Sequence, residues 1–241
     1  MRGVFVTGTD TGVGKTVVAG AICAALTARG ERVAAFKPVV TGVDESSAGD
    51  RRSADEALAP AGDTGSGAWP PDHELLAGAT GGWQSPAEVA PYTFGPPLSP
   101  HYAASLAGTR VEPERLAEAA RAAAVGADAL VCEGVGGLLV PLADDYSVRD
   151  LARALGLPLV VVARTGLGTI NHTLLTVEAA LAAGLDVAAV VMTPWSDPEP
   201  IEQSNRATVE RLAGVTVCGL PPTSPTTLAD AGFALPLDDW L

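Results

Sequence analysis

The stretch Val4-Phe5-Val6-Thr7-Gly8-Thr9-Asp10-Thr11-Gly12-Val13-Gly14-Lys15-Thr16-Val17 decides how the rest of the chain is read. Val4-Phe5-Val6 is a short β-branched and aromatic run of the kind that suits a buried strand. A Gly/Thr loop follows. From Lys15 to Arg29 alanine and leucine recur with helical spacing, and Gly30 supplies the stop. Gly14-Lys15-Thr16 opening a helix just after a strand is the setting of a phosphate-binding loop. There the backbone N–H groups of Gly12, Val13, Gly14, Lys15, Thr16 and Val17, with the helix N-terminus, hold phosphate oxygens. Lys15 is spaced to reach the β- and γ-phosphates, and the Thr16 hydroxyl to ligate Mg²⁺. One departure stands out: the usual spacing has its first glycine at position 9, where this chain has Thr9.

Outward from that loop, strands and helices alternate. Val33 to Phe36, Ala129 to Cys132, Leu159 to Val162, Val187 to Met192 and Val215 to Leu220 read as strands. Leu159-Val160-Val161-Val162 is apolar without alternation, which fits a strand buried on both faces. Helices are expected at about 101–107, 113–125, 170–183 and 199–212, and one starts near Ser147 with Asp150 in its first turn. Short connections between such elements give parallel strands with right-handed crossovers. The expected fold is α/β: a mostly parallel sheet with helices on both faces, of the P-loop NTPase type. One domain is expected over 1–241, with a Gly/Ser/Asp/Pro-rich surface insertion at 43–71. The Pro-rich run from Pro91 to Pro100 reads as a rigid surface stretch.

Composition narrows the function. The 241 residues carry a net charge of −13, and such a surface repels phosphate backbones and anionic membranes. Nucleic acid and membrane are therefore not expected partners. A small anion is still welcome, because a local nest of backbone N–H groups overcomes the global field. Cys23, Cys132 and Cys218 lie in apolar runs without C-x-x-C spacing, as buried thiols of a reducing compartment do. With no secretory signal and no membrane-length apolar run, a cytoplasmic enzyme is expected.

Several residues beyond the loop carry chemistry. Glu133 follows an apolar strand and precedes Gly134, Val135 and Gly136, where a carboxylate can reach a loop-bound Mg²⁺. Lys37 ends the second strand, where an ammonium can stabilise charge on a transferring phosphoryl group. Thr41 lies four residues on. Asn171 opens a helix after Gly166-Leu167-Gly168-Thr169, either as an N-cap or beside N–H groups open to a carboxylate. His73, His101 and His172 show no metal-ligand spacing.

Taken together, TGTDTGVGKT (7–16), FKPVVTG (36–42), PYTFGPPLSPH (91–101), EGVGGLLVPL (133–142) and GLGTINHT (166–173) resemble the dethiobiotin synthetase family. The matches run in order to about residue 220, and Thr9 is ordinary in that family. The resemblance implies a reaction in biotin synthesis. CO₂ is joined to 7,8-diaminopelargonic acid with ATP and Mg²⁺, giving dethiobiotin, ADP and phosphate. An amine captures CO₂ as a carbamate, the carbamate attacks the γ-phosphate, and the second amine displaces phosphate. It also implies roles. Lys15 and Lys37 are catalytic; Thr11, Thr41 and Asn171 bind the diamine, Asn171 across a homodimer interface; Thr16, Glu133 and an aspartate after Lys37 hold the metal. Asp55 and Asp72 both qualify. Asp72 is preferred because it heads a helix reading D-x-x-L-L, where a carboxylate is held firmly. The base would lie by Thr193, Pro194, Leu220, Pro221 and Pro222. Many members have asparagine where Thr193 stands, and a threonine cannot make a two-point amide contact with adenine. ATP is the expected co-substrate, with another nucleoside triphosphate left open. A related amide-forming ligase and a partitioning-type regulatory ATPase are the competing readings. The acidic end, Asp238-Asp239-Trp240-Leu241, offers the latter no membrane helix.

Overall fold

A computed structural model describes residues 1–43 and 69–241. Most of the segment expected as an insertion, including Asp55, lies outside the described residues. In chain order the elements are β1 (Gly3–Gly8), α1 (Lys15–Ala28), β2 (Val33–Phe36), β3 (Val39–Thr41), α2 (Asp72–Ala79), α3 (Pro86–Val89), β4 (Tyr92–Phe94), α4 (Pro100–Leu106) and α5 (Pro113–Ala123). Next come β5 (Ala129–Glu133), β6 (Pro141–Ala143), β7 (Tyr146–Ser147), α6 (Val148–Leu155), β8 (Leu159–Ala163), α7 (Thr169–Ala182), β9 (Val187–Met192), α8 (Pro200–Ala213), β10 (Val217–Gly219) and α9 (Leu228–Gly232).

Six strands form one sheet in the order β10-β9-β8-β1-β5-β2, all parallel. β1, β5 and β8 occupy its middle, and every residue of each is buried. Alternate side chains feed two cores. Phe5, Leu130, Cys132, Leu159 and Val161 pack with residues of α4, α5, α6 and α7 on one face. Val4, Val6, Val131, Val160 and Val162 pack with those of α1, α2 and α9 on the other. Each large apolar side chain so buried contributes about 1.5–3 kcal/mol relative to exposure. Parallel strands need crossovers, so all their carboxyl ends open at one rim, where ligands bind in such sheets.

The β2 edge is closed by side chains. Gln84 accepts from Ala35 N–H at 2.8 Å and donates to Ala35 C=O at 3.2 Å, while Trp83 Nε1 donates to Val33 C=O at 2.8 Å. An open edge would template pairing with another chain, and these contacts occupy its hydrogen-bonding groups. Just past the strand, Lys37 N–H donates to Val89 C=O at 2.9 Å. That contact helps hold the backbone that presents the Lys37 ammonium.

Three expectations need correction. The run from Pro91 is not only a surface stretch: Tyr92–Phe94 pairs in parallel with Val39–Thr41. These strands have three residues each, and tertiary pairing rather than pattern creates them. Asn171 is not an N-cap, since α7 starts at Thr169 behind Gly168, whose φ of 91° is left-handed. Asp72 stands in the first turn of α2 without capping it, and Pro71 takes the N-cap position. Its carboxylate is drawn instead to the Lys37 ammonium, the stronger electrostatic partner.

Candidate active site

The loop between β1 and α1 starts the site. Gly14 sits at φ 88° directly before α1, a left-handed conformation that costs other residues steric strain. Gly8 is needed for space, because a Cβ there would lie 2.8 Å from Val13 Cγ2 and 3.0 Å from Lys15 Cδ. Lys15 is thereby packed down, and its Nζ donates to Asp10 C=O at 2.8 Å. The 134–137 loop comes in alongside, with Gly137 so placed that a Cβ would sit 3.5 Å from Gly8 C=O.

Four residues predicted from the sequence meet at this rim. Lys37 Nζ donates to Asp72 Oδ2 and to Glu133 Oε1, both at 2.5 Å. Thr16 Oγ1 donates to the same Glu133 oxygen at 2.9 Å. The four come from the ends of β2 and β5 and the starts of α2 and α1. Lys37 and Glu133 are buried, at 4% and 0% exposure, so the charges interact with little screening.

The protonation states follow. Burial works against the Lys37 ammonium, but Asp72 and Glu133 outweigh it and raise its pKa. Lys37 is thus a fixed cation at neutral pH. Burial also works against the Asp72 carboxylate, yet the Lys37 ammonium holds its pKa below the usual range. For Glu133 burial prevails, with Asp72 adding to it, and the pKa rises despite Lys37. Glu133 Oε2 is buried with no hydrogen-bond partner. A buried carboxylate oxygen left bare is costly and marks a place made for a further cation or donor.

The other predicted residues are more spread. Thr11 is exposed in the loop, and its N–H donates to Asp10 Oδ1 at 2.7 Å. Thr41 is half-buried at the end of β3, and Asn171 is exposed at the third position of α7. Val13 and Val17 are buried and support the loop from beneath. Beyond β9, Thr193 is 3% exposed and its Oγ1 is buried without a partner. Trp195 N–H donates to Leu220 C=O at 2.8 Å, which ties the Thr193-Pro194 segment to the Leu220-Pro221-Pro222 turn. Two residues went unread in the sequence. Arg164, just past β8, donates to Asp10 Oδ2 at 2.9 Å. Asp10 was visible inside the loop motif, but nothing local marks Arg164 as its partner.

A surface cavity of about 690 Å³ lies elsewhere, lined by Arg110, Glu112, Asp144, Asp145, Tyr146 and their neighbours. Its carboxylates make it a poor phosphate site. Among the described residues no cluster of three or more His, Cys, Asp or Glu forms a metal cage, and no helix is long and apolar enough to cross a membrane.

Comparison with known proteins gives the family. A family model described as "AAA domain" matches residues 2–229. The ATP-dependent dethiobiotin synthetase BioD of Anaeromyxobacter dehalogenans (strain 2CP-C) is 43% identical over 226 residues, covering 93% of this chain and 92% of the relative. The protein of the same name from Bacillus subtilis (strain 168) is 36% identical over 223 residues, covering 92% and 87%. Among solved structures, MinD in the MinC:MinD complex of Aquifex aeolicus, a cell division protein complex, superposes with a TM-score of 0.54 at 12% identity, over 98% of this chain and 88% of that one. The cell division ATPase MinD of Pyrococcus furiosus gives 0.51 at 17%, over 98% and 89%. At these identities the structural likeness concerns the fold alone.

Proposed function

Because the chain belongs to the ATP-dependent dethiobiotin synthetases, the P-loop carbon–nitrogen ligases that make dethiobiotin in biotin synthesis, we propose that its chemistry is run by the cluster of Lys37, Asp72, Glu133 and Thr16 beside Lys15. The observation that carries this is the Lys37 ammonium held between two carboxylates, one of which also takes the Thr16 hydroxyl. The donor set suits Mg²⁺: two carboxylates and a hydroxyl are hard oxygen ligands, and Glu133 Oε2 still lacks a partner. When bound with nucleotide, Mg²⁺ neutralises phosphate charge and helps orient the transferring group.

Lys37 fills the role of counter-ion to these carboxylates. Asp72, Glu133 and Thr16 would hold a metal, and Lys37 Nζ, seated between the two carboxylates, would offer its charge to the carbamate and the γ-phosphoryl oxygens. Lys15 turns from Asp10 C=O to the phosphates, which the backbone N–H groups of the loop and the start of α1 help to hold. Two fixed ammonium groups then offset the charge that gathers as carbamate oxygen meets phosphorus, and binding holds the pair in line. Thr11 and Thr41 hold the diamine end. The carboxylate end lies at the 166–171 turn with Asn171, contributed by the second copy of a homodimer. Leu167 and Leu175 flank Asn171 at 95% and 57% exposure, which supports that turn as a contact face. The base lies against Thr193, Pro194 and the 220–222 turn. Thr193 offers a single hydroxyl in place of an amide, which supports use of other nucleoside triphosphates beside ATP. The compartment is the cytoplasm, a reading supported by the free thiols of Cys23, Cys132 and Cys218.

The test is product formation. Incubation with 7,8-diaminopelargonic acid, bicarbonate and Mg²⁺ with ATP, CTP or GTP should give dethiobiotin by mass. Nucleotide hydrolysis without product in every tube would overturn the reading.

A further inference from the structure

The structure assigns Arg164 a role that the reaction as described leaves unassigned: it is a positioning residue that ties the phosphate loop to the turn opening α7. The tie runs through four contacts. Lys15 Nζ donates to the Asp10 carbonyl at 2.8 Å. The Asp10 carboxylate accepts Thr11 N–H at 2.7 Å on one oxygen and Arg164 at 2.9 Å on the other. The Arg164 carbonyl accepts the Thr169 hydroxyl at 2.6 Å. Thr169 is buried at the first position of α7, two residues before Asn171.

Stability is not a sufficient reason for the side-chain pair. Both partners are more than half exposed, at 54% and 55%, and exposed pairs contribute about 0–1 kcal/mol. Its value is in placement. Asp10 is the residue on which Lys15 rests, so withdrawal of Lys15 to a phosphate changes what Asp10 holds. Arg164 is joined to Asp10 by its side chain and to α7 by its backbone. Nucleotide arrival is thereby felt at the turn, and the inference rests on the reading that this turn receives the substrate carboxylate of the partner copy's site, so that the tie couples the two sites of the homodimer. A link of this kind makes two ligands bind cooperatively, each strengthening the other by the same factor.

Calorimetric titration of 7,8-diaminopelargonic acid with and without a non-hydrolysable Mg-nucleotide measures that factor. In the unaltered protein the nucleotide should tighten diamine binding by about fivefold or more, the lower range for coupled sites. In Arg164→Ala the factor should fall to about one, and Arg164→Lys should restore part of it. Asp10→Asn, which keeps an acceptor for Thr11 N–H, should lose the same factor. The double variant should be no worse than either single one. An unchanged factor in Arg164→Ala, or additive losses in the double variant, would overturn the tie. Asn171→Ala separates the two claims. If it weakens diamine binding while Arg164→Ala leaves the factor intact, the tie fails and the carboxylate site stands. If it leaves diamine binding unchanged, both fall.

Discussion

Two ion pairs stand beside the same phosphate loop, and they differ chiefly in what surrounds them. Lys37–Glu133 is sealed, with side-chain exposures of 5% and 0%; Arg164–Asp10 is open, with 54% and 55%. In the sealed pair each charge sets its neighbour's protonation, because little water screens them. It raises the ammonium of Lys37, and burial raises Glu133 in spite of that ammonium. In the open pair water screens the charges, and what remains is geometry. One region therefore stores electrostatic free energy that a reaction can draw on, while the other fixes positions at little energetic cost.

The largest effect expected from this contrast is at Lys37. Lys37→Ala should lower the rate of dethiobiotin formation by about 10²–10³-fold, as loss of one charge-stabilising donor does. The fold should persist, because burial already raises the Glu133 pKa and, without the Lys37 ammonium, the group can take a proton instead of remaining an unpaired buried charge. Turnover by mass and a thermal melt on the same sample check both halves. Near-normal turnover would break the claim that the sealed pair is the working one.

Glu133→Gln is the next step down, with Mg-nucleotide affinity weakened about 10–100-fold. The pH dependence sharpens it. A carboxyl whose folded pKa is raised costs stability when ionised, and the cost disappears as pH falls through that raised value. Asp72 has the opposite sign: its lowered pKa adds stability above the ordinary carboxylate range, lost only as pH falls through the lowered value. On mild acidification above that range, the ligand-free protein should close its stability gap to Glu133→Gln while its Mg-nucleotide affinity falls. Melts and titrations between neutral pH and the ordinary glutamate value would show it. A gap that widens would reverse the assigned direction.

Thr193 tests a third condition, burial without charge. Its hydroxyl is sealed and unpartnered. Thr193→Asn should raise the preference for ATP over CTP by about fivefold, the worth of one added hydrogen bond. The ratio of kcat/KM values measures this, and an unchanged ratio would take Thr193 out of the base site.

What the sequence disclosed follows the same physics. Strands buried on both faces carry unbroken apolar runs, so β1, β5 and β8 could be read directly. Helix α6 announced itself through Ser147 and Asp150, which form a capping box in the structure. The short β3 and β4 carried no such signal, since each depends on the other across a long separation. Lys37, Glu133 and Thr16 were legible because each stands at the end or start of a patterned element. That Asp72 reaches Lys37 depends on how α2 packs, which no local pattern states. The Asp10–Arg164 contact joins residues 154 positions apart, and an exposed arginine after a strand is unremarkable by itself.

The smallest expected effect is a control on the open pair. Arg29 and Asp238 form another exposed ion pair, at 2.7 Å with exposures of 31% and 82%, away from the phosphate loop. Arg29→Ala should change stability by no more than about 0.5 kcal/mol, and Arg164→Ala by a similar amount, since solvent screens both. Arg29 stands at the C-terminal end of α1, opposite the end that starts at Lys15, so its loss should leave turnover and ligand coupling unchanged. If the two variants match in melting temperature but only Arg164→Ala lowers the coupling between nucleotide and diamine, position rather than strength is what the open pair provides. If Arg164→Ala instead melts well below Arg29→Ala, the pair is structural after all, and the division between an energetic and a geometric region no longer holds.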